Sequence, residues 1–282
     1  MPQTIWQTSR FKLDLSQPKV MAIVNLTPDS FSDGGRNSAM SAALENAQAM
    51  LALGADILDI GGESSRPGAD PVSVEEELNR ILPFLREALT WNIPISVDTY
   101  KPEVMQAALD MGADIVNDIW ALRQAGALQV VSQHGQCGVC LMHMHRDPQT
   151  MFEQPMVGDA IEPVKAFLSH QVSILTANGV QSNRIVLDPG VGFGKTVVQN
   201  LSLLHQQNEF LALGLPLMAG WSRKGTLGKI TAIEGQAPAA QDRVGASVAA
   251  ALIAIQNGAS VVRVHDVKET VQALRVWQAL KI

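Results

Sequence analysis

One phrase recurs from end to end of this chain: a short apolar run, a polar residue at its close, a loop, then an amphipathic stretch. The apolar runs are 20–25, 56–60, 94–98, 115–118, 138–143, 185–188, 216–220 and 261–265. Alternating with them, apolar residues recur at three- and four-residue spacing over 39–53, 74–90, 102–111, 125–134, 158–178, 197–208, 241–257 and 267–280. That is the period of a helix with one buried face. Three of the runs begin with near-copies of one another, LGADILDI, MGADIVNDI and NGASVVRV, each a helix-stopping glycine leading straight into a strand. Eight such units without a break in composition predict a closed (β/α)8 TIM barrel of α/β class, one domain over 1–282. Residues 1–18 form an extended or hairpin lead-in and 19–282 the barrel. A doubly wound sheet is the alternative, and eight units with no second domain disfavour it. The longest connections follow the first, second, fifth and seventh runs, on the side where such barrels place their active sites.

Apolar residues make up 46% of the chain and aromatics 5%. Ala, Gly, Leu and Val therefore carry the pattern, as suits helices packed closely on a parallel sheet. The formal charge of −6 argues against non-specific binding to nucleic acid or to an anionic membrane. The N-terminus lacks an apolar signal core, and no run approaches the ~18 residues of a membrane span. The expectation is a cytoplasmic protein with neither nucleic acid nor membrane as partner.

Two motifs invite misreading. The run 185–196, IVLDPGVGFGKT, ends in Gly-Lys-Thr, yet Gly190 and Gly194 enclose one residue too few for a Walker A loop, and G-x-G-x-G is not the dinucleotide fingerprint. A carboxylate at the end of a short apolar strand, followed by glycines, instead places Asp188 on the rim of a sheet where backbone approaches a ligand closely. Cys137 and Cys140 form a C-x-x-C with His143 and His145 just beyond. Within a buried strand, residues three apart point to opposite faces. A redox pair needs a helix N-terminus and a zinc site a second ligand pair, so these are read as core cysteines.

The strand tips hold the chemistry: Asn25; Glu63, Ser65 and Arg66; Asp98; Asn117 and Asp118; His143; Asp188; Ser222 and Lys224; Arg263 and His265. Any one of these could cap the next helix. A barrel kept only for structure would not bury so many, since each without a partner costs ~1–3 kcal/mol. Asp98, Asn117 and Asp188 converge near the barrel axis in this reading. Two carboxylates and an amide suit a flat heterocycle bearing N–H donors and ring acceptors, a carboxylate pairing with an N–H/NH2 edge as it does with guanidinium. Lys224 supplies a donor to a ring carbonyl. Arg263, His265 and Asn25 meet where the last and first strands adjoin, a plausible anion pocket. Spacing alone thus gives an amino-heterocycle site beside a phosphate or pyrophosphate site.

These residues also stand in familiar motifs. VMAIVNLTPDSFSDGG (20–35), GADILDIGGESSRPGA (54–69), ISVDTYKP (95–102), GADIVNDI, LMHM, IVLDPGVGFGKT, GWSRKGTLG and VVRVHDV together resemble the dihydropteroate synthases, in that family's order and over nearly the whole chain. The resemblance implies condensation of 6-hydroxymethyl-7,8-dihydropterin pyrophosphate with p-aminobenzoate, with Mg2+ as cofactor and pyrophosphate released. It implies pterin binding by Asp98, Asn117, Met142, Asp188, Lys224 and Arg263, with Asp59 behind them. It puts Asn25, Arg66, Arg263 and His265 on the pyrophosphate, Asn25 touching the metal. Phe31, Ser65, Pro67, Phe193 and Ser222, with Lys224, become the p-aminobenzoate wall, where sulfonamides compete. The catalytic set it implies is Asp33, Arg66, Lys224, Arg263 and His265. Ser65 stands where the family usually has Thr, which keeps the hydroxyl and loses a methyl.

The resemblance further favours departure of pyrophosphate before the amine attacks, with the 26–38 and 61–73 loops excluding water. It implies a homodimer formed through outer helices, for which the alanine-rich face around 245–254 is suited. The nearest rival is a methyltetrahydrofolate-binding methyltransferase domain of the same fold, which would have no use for Ser222-Arg223-Lys224 or Ser65-Arg66-Pro67. A non-catalytic pterin-binding paralogue would be expected to lose loop residues that are all present here.

Overall fold

The computed structural model describes residues 4–27, 35–64, 70–151 and 153–280, with the side chains of 35–39 left aside. Eight parallel strands close into a barrel: β3 (Lys19–Asn25), β4 (Ile57–Gly61), β5 (Ile95–Asp98), β6 (Ile115–Asp118), β7 (Gly138–Met142), β8 (Ile185–Asp188), β9 (Leu217–Ala219) and β10 (Ala259–Val264), with β10 returning to pair β3. Each is followed by a helix on the outside: α1 (Gly35–Ala52), α2 (Val74–Ala88), α3 (Pro102–Met111), α4 (Ala127–His134), α5 (Ile161–Ala177), α6 (Val197–His205), α8 (Val244–Gln256) and α9 (Val267–Ala279). The predicted (β/α)8 barrel is the observed fold. A short helix that periodicity could not reveal, α7 (Gly225–Ile230), lies between β9 and α8. Elsewhere the helices differ from expectation only at their ends, for local reasons. Gly126 (φ +96) and Gly158 (φ +78) hold left-handed backbone, so α4 and α5 begin after them. Thr196 and Gln199 close a reciprocal capping box that fixes the start of α6.

Alternation along each strand divides the buried residues into two cores. Outward residues such as Val24, Leu58, Val97 and Leu187 pack against the helices, with Ile81, Phe84 and Leu168 among their neighbours. Inward residues Met21, Ile57, Ile115, Cys140, Val186, Met218 and Val261 fill the lower barrel. The two cysteines are both buried and free, Cys137 in the outer core and Cys140 in the inner one.

The lead-in is an antiparallel hairpin, β1 (Ile5–Gln7) and β2 (Lys12–Asp14), and it stoppers the bottom of the barrel. Trp6 is fully buried there with Leu15, and its Nε1 donates to the Arg184 carbonyl at 2.9 Å. Gly138 opens β7 because a Cβ would lie 3.0 Å from Trp6 Nε1 and 3.2 Å from Ile115. Arg10 locks the hairpin down by donating to the fully buried Asp114 through Nε (3.0 Å) and Nη2 (2.6 Å). With the lower end closed, polar groups collect at the upper, C-terminal end. Among the described residues no helix is long and apolar enough to cross a membrane.

Candidate active site

Strand register puts the predicted tips at one height. Asn25 pairs with Gly61, Gly61 with Asp98, and Asp98 with Asn117 across β3 to β6, and Met142 pairs with Asp188 across β7 and β8. One layer lower, Asp59 is in register with Ile23 and Ser96. Arg263 reaches in from β10 and joins both layers, its Nε 2.5 Å from Asp59 Oδ2 and its Nη2 2.5 Å from Asp98 Oδ2. Asn117 Nδ2 donates to the same Asp59 oxygen at 3.2 Å. Glycines 61 and 220 border the mouth: a Cβ at 220 would be in ordinary contact with Asp188 Oδ2 at 3.9 Å, and one at 61 with Asp98 at 3.6 Å.

Burial sets the electrostatics. It pushes Asp98 up to about 7; Arg263 opposes this, but the guanidinium is shared with Asp59, and Glu77 and Asp118 add further negative charge. Burial also raises Asp188, against the pull of the Gly190 N–H and of Lys224, Lys195 and Arg263. Lys224 is lowered to about 8 by burial, with Asp188 acting the other way. Burial would lower Arg263 as well, but Asp59 and Asp98 hold its guanidinium firmly protonated. The mouth is therefore a mixed field of three carboxylates and two cations, suited to a polar, flat ligand rather than to a simple anion.

The turn after β8 completes one wall. Asp188 Oδ1 accepts from Gly190 N–H at 2.7 Å, which leaves Oδ2 for a ligand. Gly190 has φ +71, and a Cβ there would sit 1.8 Å from the His143 carbonyl oxygen, so only glycine fits. Phe193 packs with Ile119, Met142, Met144 and Met151, and Lys224 Nζ stands 4.2 Å from its ring centroid. At the seam of β9 and β10, Ser222 Oγ accepts the His265 N–H (3.1 Å) and lies 3.0 Å from its Nδ1. Arg223, at φ +60, forms a fork with Asp266 at 3.1 and 2.5 Å.

Asn25, Asp98, Asn117, Met142, Asp188, Phe193, Ser222, Lys224, Arg263 and His265 are thus brought to one end of the barrel. Phe31, Asp33, Ser65, Arg66 and Pro67 lie outside the described residues. Two tips belong elsewhere. Asp118 is buried in the next turn, accepting from Trp120 N–H (2.8 Å) and Leu122 N–H (2.7 Å). His143 faces α5, edge-on to Phe167 with centroids 5.0 Å apart, and burial depresses its imidazole to about 2. Sequence reasoning missed a cleft of 470 Å³ beside Asp98, lined among others by Glu63, Glu77, Tyr100 and Trp120. Lys101 bridges Glu63 and Glu77 there at 2.5 Å each, and Tyr100 Oη donates to Glu63 at 2.9 Å. The position of Lys101, three residues past Asp98 on the same rim, was the available signal.

The chain matches the model of the pterin binding enzyme family over residues 21–265. It is 48% identical to the dihydropteroate synthase of Neisseria meningitidis serogroup B, over 100% of this chain and 99% of that protein. Among solved structures, it is similar to Burkholderia cenocepacia dihydropteroate synthase complexed with 7,8-dihydropteroate (TM-score 0.88, 45% identity, 100% and 98% of the two chains). It is likewise similar to the Yersinia pestis enzyme in a sulfonamide drug complex (TM-score 0.91, 42% identity, 98% and 99% of the two chains). By fold, site and these likenesses together, the chain belongs to the pterin binding enzymes and, among them, to the dihydropteroate synthase family.

Proposed function

We propose that this chain joins 6-hydroxymethyl-7,8-dihydropterin pyrophosphate to p-aminobenzoate, giving 7,8-dihydropteroate and pyrophosphate, a transferase step of folate biosynthesis. The observation that carries the reading is the meeting of Asp98, Asn117 and Asp188 with Lys224 and Arg263 at one barrel mouth. Asp188 Oδ2 accepts from the amino-pyrimidinone edge of the pterin, Lys224 donates to its carbonyl, and Asn117 and Asp98 pair with ring nitrogens. Met142 packs on the ring, and the Arg263 guanidinium lies against it as well as toward the diphosphate.

In this reading the C–O bond to pyrophosphate breaks first, and the leaving group departs with the bonding pair. The methylene cation left behind is delocalised into the dihydropterin, and carboxylates at Asp98 and Asp188 favour that positive charge. The weakly nucleophilic arylamine nitrogen then attacks and sheds a proton. Arg263, His265 and Asn25 hold the leaving group's charge, while Phe193, Ser222 and Lys224 flank the arylamine. Phe31, Asp33, Ser65, Arg66 and Pro67 are assigned by resemblance alone to p-aminobenzoate binding and to the catalytic loops.

Among the described residues no cluster of His, Cys, Asp or Glu could hold a metal ion by itself. Mg2+ takes oxygen ligands, few of them from protein, and keeps substrate phosphate oxygens and water, and the side-chain oxygen of Asn25 is a ligand of that kind. Asn25 would touch it, and the ion would offset diphosphate charge. The Yersinia pestis sulfonamide complex supports competition by sulfonamides for the arylamine wall. A homodimer through the outer helices and a cytoplasmic location complete the proposal. The test is pyrophosphate release with and without p-aminobenzoate, with chromatography of the product: dihydropteroate formed in step with the pyrophosphate released when the amine is present supports it, whereas no dihydropteroate with both substrates present refutes it.

A further inference from the structure

In the Gly-Lys-Thr that closes the turn after β8, Thr196 caps α6, while Lys195 has no place in the substrate contacts described above. In a nucleotide-binding loop the backbone N–H groups face a phosphate and the lysine extends to it. Here the polarity is reversed. Lys195 is 6% exposed, and its Nζ donates to three carbonyl oxygens: Gly190 at 2.7 Å, Phe193 at 3.2 Å and His143 at 3.3 Å. An ammonium has three donors and no acceptor, so the cage uses all of them, and among the described residues no carboxylate is hydrogen-bonded to it. Burial pulls Lys195 down to about 7, with Asp188 acting the other way, and the three carbonyls favour the protonated form.

The three carbonyls come from two connections, one after β7 and one after β8. The β8 connection is tied to the site at both ends. Gly190 N–H is bonded to Asp188, while Phe193 carries the ring beneath the Lys224 ammonium. A second set of bonds holds the turn from α6: Asn200 accepts from Gly192 N–H (2.8 Å) and donates to the Lys195 carbonyl (3.2 Å). The glycines allow the carbonyls to turn inward. Without a cation among them, three convergent oxygens would be left unpaired and would repel one another.

We infer that Lys195 is a positioning residue whose ammonium fills a cage of three carbonyl oxygens, and that filling the cage holds Asp188 and Phe193 in place for the two substrates. The cage itself stands on geometry alone; its effect on substrates rests on the synthase reading. Lys195→Ala removes three carbons and the nitrogen, the atoms of n-propylammonium, so the vacated site should accept that ion.

The experiment measures thermal midpoint and kcat/KM for both substrates in Lys195→Ala, with n-propylammonium, tetramethylammonium or sodium at equal ionic strength. Loss of charge-assisted bonds of this kind predicts a fall of roughly 10- to 100-fold in kcat/KM. Saturable recovery of both readouts by n-propylammonium, and by neither control ion, is the expected result. A variant with kcat/KM within about twofold of the parent, or one that is folded yet indifferent to n-propylammonium, overturns the inference. If the parent makes no dihydropteroate while the variant's midpoint still rises with n-propylammonium, the cage stands and the synthase reading falls. Should Lys195→Ala not fold, Lys195→Gln, uncharged and with two N–H donors, replaces it: parent-like KM values for both substrates overturn the inference, and raised ones support it.

Discussion

Replacing Asp188 by Asn changes one oxygen to an NH2 and leaves the shape of the site intact, which makes its cost calculable. Asp188 is 4% exposed, and its Oδ1 already accepts from Gly190 N–H at 2.7 Å. The asparagine must turn its carbonyl oxygen to that N–H, so its NH2 occupies the place of Oδ2 and faces the N–H donors of the pterin. One charge-assisted hydrogen bond is lost, worth about 1.5–3 kcal/mol, and a buried donor is set against a donor, about 1–3 kcal/mol more. Together these predict weaker binding by roughly two to four orders of magnitude. Lys224 also loses the counter-charge that opposes its burial. Calorimetric titration with dihydropterin pyrophosphate measures the affinity, and a thermal midpoint near the parent's shows the fold is retained. An affinity within about threefold of the parent would refute the assignment of Asp188 to the pterin edge.

Trp6→Ala empties the stopper at the opposite end, and by loss of a fully buried tryptophan should cost about 3–5 kcal/mol of stability in a denaturant titration, with kcat/KM within about twofold of the parent. The folded-state value of about 7 for Asp98 lies above its ordinary 3.8, so between these the folded chain keeps a proton that the unfolded chain releases. Stability therefore falls as pH rises through that interval and levels off above about 7, Asp118 acting in the same sense; denaturation midpoints against pH should show the decline, and Asp98→Asn should make it shallower. Chelation of Mg2+ should raise KM for the pyrophosphate substrate while leaving binding of the pterin alcohol unchanged, since the ion is assigned to the diphosphate; equal effects on both ligands would remove that assignment.

The barrel was legible because each unit states its own ends: an apolar run, a polar tip, and a glycine that stops the preceding helix. Most of the mouth was legible for the same reason. Where two candidate residues are adjacent at a strand tip, however, a strand turns only one of them inward. Asn117 faces Asp59, so Asp118 builds the outer turn. Met142 faces Phe193, so His143 packs on α5. The period of two could have decided both pairs. Other features depend on partners far away in the chain, as with Trp6 and Arg184 or Lys195 and His143, and no local pattern announces them. Lys101 could have been suspected from its place on the rim, but that it joins Glu63 to Glu77 follows only from how α2 packs beside α3.

A crystal structure of the chain with a bound dihydropterin would examine the gripping of one fused ring by groups from separate strands most directly. The amino-pyrimidinone edge should lie within hydrogen-bonding distance of Asp188 Oδ2, the carbonyl near Lys224 Nζ, and the ring nitrogens against Asn117 and Asp98. A ring seated instead in the cleft beside Tyr100 and Trp120, with Asp188 untouched, would contradict it.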